Sequence, residues 1–206
     1  MRAVVWCNGP SPSKMVVDSV MDEQVAVFGV DGGADKAREH GISAIGVLGD
    51  LDSVDRSQWN GLLIELPDQS SSDLSKSIEY LARQGFSELD IIGIEGGKPD
   101  HSLGNWASLV ESSSEISVRL HHEEAIAHRV NLHTGKFRIH IDRDEEFSVF
   151  ALERCSVSIC GAKWEIKDKE VNFGTRGLHN RGIGDEVAVE SGGTVVVLIN
   201  RGYSSS

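Results

Sequence analysis

Four short apolar runs, each followed at once by glycine, acidic or turn-forming residues, constrain the fold of this chain more than any other feature of its sequence. The runs span residues 25–30, 44–48, 62–66 and 89–94. An apolar run of this length bounded by turn residues is typical of a buried strand, and strands buried on both faces occur in parallel sheets. Because open α/β sheets bind ligands at the carboxyl ends of their strands, the four loops predict one acidic crevice at that edge.

The loop at residues 49–53 places Asp50 and Asp52 two positions apart. Two carboxylates this close repel each other unless a cation or hydrogen bonds offset the repulsion. Mg²⁺ prefers oxygen ligands and commonly lies between carboxylates and substrate phosphates. An ordinary turn also uses Asp, Gly and Ser, so this loop alone leaves both interpretations open. The same pattern in three other loops favours the functional one.

The loops after the first and third runs contain further candidates, each with a structural alternative. Gly32 and Gly33 follow Asp31 and either present backbone N–H groups to an anion or form a tight turn. Asp73 precedes a predicted helix, where a carboxylate serves either as a cap or as a functional group. Lys76 lies one turn later, so that it either reaches a phosphate or pairs with Asp73.

The loop after the fourth run contains Lys98, Asp100 and His101. Lys98 offers a positive charge to a phosphate. A lone histidine is more often structural, so His101 is the weaker candidate. The P-loop and the dinucleotide-binding glycine pattern are both absent, and this absence favours phosphate binding through a metal and acidic loops.

Composition narrows the class of protein. The 206 residues are 39% hydrophobic and 25% charged, as in a soluble globular protein, and the net charge of −12 argues against nucleic-acid binding. Three scattered cysteines do not suggest a disulfide framework. The sequence has neither a signal peptide nor a membrane-spanning apolar stretch. We therefore expect a cytoplasmic protein without a membrane partner.

The first part of the chain alternates strands with helices predicted at residues 34–40, 70–83 and 100–110. The third helix has an apolar stripe formed by Leu103, Trp106, Ala107 and Val110. We predict an α/β fold: a Rossmann-like, mainly parallel sheet domain at residues 1–122, followed by a small all-β sandwich domain at residues 123–206.

The second domain is predicted from short alternating runs. A glycine-rich turn at residues 191–193 predicts a hairpin between the last two strands. The predicted strands span residues 137–141, 147–150, 156–159, 186–189 and 194–199.

Taken in order, these motifs resemble those of the thiamine pyrophosphokinase family. The matching segments are residues 31–34, 49–53, 67–69 with Asp73 and Lys76, 96–101 with Asn105, 161–164 and 173–180. The resemblance covers most of the chain and implies transfer of a diphosphoryl group from ATP to the hydroxyl of thiamine, giving thiamine diphosphate and AMP. It also implies Mg²⁺, ATP binding in the first domain, thiamine binding in the second, and a homodimer with thiamine near the subunit interface.

The resemblance also implies roles for single residues. Asp50, Asp52 and Asp73 would hold Mg²⁺ and the reacting phosphates, and Gln69 would position substrate. From the chemistry of the reaction itself, we expect Asp73 to accept the hydroxyl proton. The residues implied to bind ATP and its phosphates are Asp31, Gly32, Gly33, Lys76, Lys98, Asp100 and His101. The residues implied to bind thiamine are Gly177, His179 and Asn180, with Asn180 in the turn after Gly177.

Three positions depart from the family pattern: Ser70 replaces a frequent aspartate, Lys98-Pro99 replaces arginine and an apolar residue, and His179 replaces serine. These departures leave the acceptor open. One alternative is a diphosphokinase acting on another heterocyclic alcohol, such as a hydroxymethylpterin. Another is a non-catalytic sensor of thiamine or a nucleotide, against which the retained Asp50, Asp52 and Asp73 argue.

Overall fold

The computed structural model describes residues 1–54, 56–59 and 62–201. The contacts within the chain divide it into two compact units, Met1–Glu123 and a second unit that begins at Glu124. Within the described ranges, no helix is both long enough and apolar enough to cross a membrane.

The first unit is built on a parallel sheet, as predicted. Its strands lie in the order β6-β5-β1-β2-β3-β4, and each neighbouring pair is parallel. The four predicted apolar runs form β2, β3, β4 and β5. The strands are β1 (Arg2–Trp6), β2 (Ala26–Val30), β3 (Gly46–Gly49), β4 (Leu62–Glu65), β5 (Glu88–Ile92) and β6 (Ser117–His121).

Four α-helices and a 3₁₀ turn connect these strands within the described residues. The helix predicted at residues 70–83 is present but begins at Asp73, where the Ser72 hydroxyl caps it by accepting a bond from the Ser75 N–H at 3.1 Å. Helix α1 was not predicted, since its valines favour strands. The helices are α1 (Lys14–Val20), α2 (Gly33–Glu39), α3 (Asp73–Arg83) and α4 (Pro99–Glu111), and the 3₁₀ turn is Arg56–Gln58.

The predicted apolar stripe of α4 is not its buried face. Leu103 is 66% exposed and Val110 39% exposed, whereas Ser108 and Leu109 are buried. Ser108 is tolerated there because its hydroxyl donates to the Gly104 carbonyl at 2.9 Å and bonds the Ser72 hydroxyl. The buried face of α4 therefore combines Leu109 with a polar contact to Ser72, the residue that caps α3.

The strand order reverses at β1. The chain runs outward from β1 to β4 and then returns to the other side of β1 as β5. Loops that follow the strands on either side of such a point diverge and leave a crevice at the carboxyl edge. The loops after β1 and β5 are joined there by a hydrogen bond from the Gly9 N–H to the Gly93 carbonyl, 2.8 Å long.

The second unit contains two antiparallel four-stranded groups, β7-β14-β9-β12 and β8-β13-β10-β11. Their buried side chains form one hydrophobic cluster that includes Phe147, Ile159 and Val187. The strands are β7 (Ala125–Val130), β8 (Phe137–Ile141), β9 (Glu146–Ala151), β10 (Cys155–Cys160), β11 (Ile166–Val171), β12 (Gly177–Arg181), β13 (Asp185–Ser191) and β14 (Val195–Asn200).

The predicted hairpin at residues 191–193 is wrong. Strands β13 and β14 belong to different groups and do not pair, so the turn carries the chain from one group to the other. The Gly192 N–H donates instead to the Ser156 carbonyl on β10 at 2.9 Å. A glycine-rich turn between two alternating runs does not by itself specify which strands pair, because the partners are chosen by the shared core.

Candidate active site

Three carboxylates meet at the carboxyl edge of the parallel sheet. Asp31 follows β2, Asp50 follows β3, and Asp73 begins α3. One oxygen from each lies within 4.8 Å of the others. We call Asp31, Asp50 and Asp73 the carboxylate cluster.

Asp31 is the buried member of the carboxylate cluster, with 7% of its surface exposed. Its Oδ1 accepts a hydrogen bond from the Leu51 N–H at 3.0 Å. Burial, and to a lesser extent the nearby charges of Asp73, Asp50 and Asp52, raise the pKa of Asp31 to about 6 against the opposing hydrogen bond from the Leu51 N–H. The cluster therefore holds negative charge that protein cations do not fully offset.

The backbone around the carboxylate cluster adopts conformations that most residues avoid. Asp31 and Leu51 have φ angles of 47° and 62°. Gly49 has a φ of 140°, and a Cβ atom there would lie 2.1 Å from Asp31 Oδ1. Only glycine fits at position 49 while Asp31 keeps its place, which gives the Gly49-Asp50 pair a steric explanation.

Asp52 lies outside the carboxylate cluster. Its side chain is exposed, and its N–H donates to Asp50 Oδ1 at 3.1 Å. The predicted metal set was Asp50, Asp52 and Asp73, whereas the structure groups Asp31 with Asp50 and Asp73. Sequence spacing does not distinguish these sets, because the backbone at Leu51 decides which carboxylate turns inward.

The donor set of the carboxylate cluster fits a divalent cation. Carboxylate oxygens are the hard ligands that Mg²⁺ takes in proteins, usually one or two together with phosphate and water. Burial and the neighbouring carboxylates, which raise the pKa of Asp31, both disfavour its ionised form, and a bound cation would favour that form. Asp31, Asp50 and Asp73 are therefore the residues that would hold one.

Lys76 is placed beside the carboxylate cluster, but its contacts differ from the predicted ones. Its Nζ donates to the carbonyl oxygens of Leu66 at 2.8 Å and Asp68 at 2.7 Å, and it pairs with Asp73 Oδ1 at 2.7 Å. The two carbonyl oxygens accept hydrogen bonds from the ammonium group, whereas the contact with Asp73 is an ion pair, because Asp73 Oδ1 has no hydrogen-bond partner among the described residues. In this arrangement Lys76 holds the loop before α3, and contact with a phosphate stays a prediction.

The loop held by Lys76 contains Gln69, which is exposed. Ser70, the residue that departs from the family pattern, donates its N–H and hydroxyl to the two carboxylate oxygens of Asp68 at 2.9 and 2.8 Å. These hydrogen bonds lower the pKa of Asp68. Ser70 therefore shapes the loop, while Gln69 points its side chain into solvent where a ligand can meet it.

The two glycines after Asp31 have different reasons for being glycine. Gly33 begins α2, and a Cβ atom there would lie 2.0 Å from the Trp6 carbonyl oxygen, so glycine allows α2 to pack against β1. Gly32 directs its N–H to the Ser53 hydroxyl at 3.4 Å. The structural alternative thus explains Gly33, and a role in anion binding stays a prediction for both.

Lys98, Asp100 and His101 are all exposed at the start of α4. Lys98 is the N-cap residue, and Asp100 Oδ1 accepts a bond from the His101 N–H at 3.0 Å. Gly96 and Gly97, with φ angles of 71° and 77°, turn the chain into this helix. The positive end of the helix dipole and the Lys98 ammonium make this helix end suited to an anion.

The residues predicted to bind thiamine lie on β12 of the second unit, and Asn180 is in this strand rather than in a turn. Asn180 is buried: its Nδ2 donates to the Trp164 carbonyl at 2.8 Å, and its Oδ1 accepts from the N–H groups of Trp164 and Arg181 at 3.1 and 2.8 Å. Asn180 therefore fixes the Trp164 backbone, which borders a pocket of about 290 Å³ also lined by Gly177.

His179 is exposed on the same strand, with a φ of 55°. Its backbone N–H donates to the Ser148 hydroxyl at 3.1 Å, and its Nδ1 lies 3.5 Å from Glu146 Oε2. Arg181 pairs with the other oxygen of Glu146 at 2.6 Å. The residue that departs from the family pattern thus belongs to a small surface charge group.

Sequence reasoning missed two residues that organise the loops around the carboxylate cluster. Lys36 donates from Nζ to the carbonyl oxygens of Asn8, at 2.7 Å, and Gly9. The Ser53 hydroxyl accepts from Gly32 and from the Asn8 amide, both at 3.4 Å. Neither contact leaves a signal in the sequence, because each joins loops far apart along the chain.

A mainly parallel sheet with grouped carboxylates at its carboxyl edge defines an α/β protein equipped to handle phosphate groups through a divalent cation. Residues 17–120 match the family model described as thiamin pyrophosphokinase, catalytic domain. That segment is about half of the 206 residues. The chain belongs to the thiamin pyrophosphokinase family, which confirms the resemblance, and it is accordingly an enzyme of the kinase class of transferases.

Individual relatives agree with the family model. A thiamine pyrophosphokinase of Bacillus subtilis (strain 168) is 23% identical over 177 residues, which cover 80% of this chain and 82% of the relative. Thiamin pyrophosphokinase 1 of Caenorhabditis elegans is 24% identical over 144 residues, covering 62% of this chain and 58% of the relative.

Solved structures show the same fold. The crystal structure of thiamine pyrophosphokinase from Bacillus subtilis superposes with a TM-score of 0.78 at 20% identity, covering 98% of this chain and all (100%) of that one. Yeast thiamin pyrophosphokinase has a TM-score of 0.73 at 13% identity, covering 97% and 86%. The mixed α/β architecture with its additional antiparallel strands is therefore shared with these proteins.

Proposed function

We propose that this enzyme transfers the diphosphoryl group of ATP to the hydroxyl of thiamine, giving thiamine diphosphate and AMP. The observation that supports this most is the carboxylate cluster, whose three oxygens lie within 4.8 Å of one another. It lies inside the segment that matches the catalytic-domain family model. We also propose that the first unit is a Rossmann-like nucleotide-binding domain and the second a β-sandwich that binds thiamine.

The carboxylate cluster would hold Mg²⁺, which supplies positive charge to the phosphates when it is bound. Such reactions depend on positioning and charge stabilisation rather than on a protein nucleophile. Lys76 fixes the loop before α3 and thereby the direction of Asp73. Lys98 and the positive end of the α4 dipole add positive charge to the same edge.

The acceptor pocket would be the one bordered by Trp164, Gly177 and Leu178. The aromatic and apolar part of its wall suits a flat heterocycle, and the rest of the wall contains the charged residues Glu165, Lys169 and Arg176. Trp164 is 53% exposed and Phe173 70% exposed, which supports a homodimer in which a partner chain covers these side chains. The cysteines are unpaired among the described residues, which supports a cytoplasmic location.

An assay of nucleotide products tests the proposed reaction. The protein is incubated with Mg²⁺ and ATP together with thiamine, a hydroxymethylpterin or no acceptor, and AMP and ADP are separated. AMP that appears with thiamine and requires Mg²⁺ supports the proposal, and Asp50→Asn should lower the rate of its formation by about 10²–10³. ADP in place of AMP would rule out diphosphoryl transfer. AMP with the pterin alone would reassign the acceptor, and tight binding without turnover would indicate a sensor.

A further inference from the structure

The segment that follows Asp50, described at residues 51–54 and 56–59, packs against helix α2. Leu51 and Val54 are buried in a small hydrophobic cluster with Ala34 and Val47, and Trp59 packs against this cluster. The segment therefore has its own small core, separate from the hydrogen bonds of the sheet. Its position against α2 sets where Asp50 lies.

One hydrogen bond joins the far end of this segment to α2. The Trp59 indole N–H donates to Asp35 Oδ1 at 3.1 Å. Asp35 lies in the first turn of α2, and its side chain is 21% exposed. Arg38, one turn later, lies 3.4 Å from the same oxygen and also bonds the Gln58 side chain. We call the bond between Asp35 and Trp59 the clasp.

The near end of the segment contacts the carboxylate cluster directly. The Leu51 N–H donates to Asp31 Oδ1 at 3.0 Å, and the Arg56 Nε donates to the Leu51 carbonyl at 3.3 Å. Leu51 has a φ of 62°, a conformation that its surroundings must maintain. A movement of the segment against α2 would therefore displace Leu51, and with it both Asp31 and Asp50.

We propose that Asp35 is a positioning residue for the carboxylate cluster: through the clasp with Trp59 it fixes the segment that presents Asp50 and orients Asp31. The inference rests on the proposed function, since it concerns the cation that the cluster would hold. Asp35 does not touch that cation. It keeps the ligands in place before the cation arrives, so that binding does not have to order the segment.

The test measures Mn²⁺ binding to the nucleotide-free protein by electron paramagnetic resonance. A hydrogen bond of this kind corresponds to roughly a three- to tenfold change in an equilibrium constant. Asp35→Ala and Trp59→Phe should each weaken Mn²⁺ binding by about this factor. The double variant should be no weaker than either single variant, because both remove the same bond.

The Asp35→Asn variant distinguishes the effect of the clasp from the effect of the carboxylate charge. It removes the negative charge but keeps an oxygen that can accept from Trp59, so Mn²⁺ affinity should stay close to that of the wild type. Two matched controls lie in the same unit: Asp18→Ala removes an exposed carboxylate of α1, and Trp106→Phe removes an indole N–H of α4. Neither should change Mn²⁺ affinity, and circular dichroism should show that every variant is folded.

Unchanged binding in Trp59→Phe would overturn the inference, as would an Asp35→Asn variant as weak as Asp35→Ala or additive losses in the double variant. In those cases the wild type still binds Mn²⁺, and the proposed function stands. A wild type that binds no Mn²⁺ would overturn both the inference and the cation site of the proposed function. The AMP assay then shows separately whether the reaction occurs.

Discussion

Replacing Asp31 by asparagine should stabilise the fold while it weakens the candidate active site. Asparagine has nearly the same shape, and its Oδ1 can still accept the hydrogen bond from the Leu51 N–H. It removes the charge that burial and the neighbouring carboxylates disfavour. The reason for this expectation is the pKa of Asp31, which lies at about 6 against an ordinary 3.8.

The size of the effect follows from that difference. One pKa unit corresponds to about 1.4 kcal/mol, so ionised Asp31 costs the folded protein about 3 kcal/mol. A carboxyl with a raised pKa binds its proton more strongly in the folded than in the unfolded state. The cost is therefore absent below about pH 4, develops between about pH 4 and pH 6, and is complete above that range.

The free energy of unfolding in urea measures this directly. With EDTA at pH 7, Asp31→Asn should be about 2–3 kcal/mol more stable than the wild type, and the difference should fall below about 1 kcal/mol at pH 4.5. Added Mg²⁺ should stabilise the wild type and have little effect on the variant. Asp52→Asn is the matched control, since Asp52 is exposed and should change little.

Two results would refute this reasoning. If Asp31→Asn is no more stable than the wild type at pH 7 in EDTA, the charge of Asp31 is already compensated within the folded protein. If the gain is the same at pH 4.5 and pH 7, it does not come from ionisation. Either result would remove the electrostatic argument for a cation at the carboxylate cluster.

Three further substitutions test the geometry. Gly49→Ala should lower the free energy of unfolding by about 1–3 kcal/mol and abolish Mn²⁺ binding, because the new Cβ would lie 2.1 Å from Asp31 Oδ1. Retained Mn²⁺ binding would show that this contact relaxes. Asp50→Asn should lower turnover by about 10²–10³, whereas Asp52→Asn should lower it only several-fold, since Asp52 is outside the carboxylate cluster. Steady-state kinetics that show the reverse order would contradict the grouping of Asp50 with Asp31 and Asp73. Asn180→Ala should cost about 1–3 kcal/mol of stability in urea unfolding, because it leaves buried backbone groups unpaired; an unchanged midpoint would show that these bonds are dispensable.

The parallel sheet could be predicted because its strands are buried on both faces and therefore read as continuous apolar runs. Because these strands are parallel, the loops that follow them lie at one edge of the sheet. The grouping of Asp31, Asp50 and Asp73 at that edge follows from this topology. Strong local signals, such as the Ser72 cap of α3, were also readable from the sequence.

Features that depend on contacts between distant segments could not be predicted. The inward direction of Asp31 rather than Asp52 depends on backbone angles at Asp31 and Leu51. The buried face of α4 depends on the bond between Ser72 and Ser108. The strand that contains Asn180 has too little apolar alternation to be read as one.

Lys76 also bears on the order in which ligands can bind. Its ammonium group donates to the carbonyl oxygens of Leu66 and Asp68 and pairs with Asp73, so its positive charge is already engaged by the protein. Free ATP would meet the carboxylates of Asp31, Asp50 and Asp73 and be repelled there. We therefore expect ordered binding, in which the cation binds before ATP or together with it. Free ATP in excess over the cation should not compete for the site.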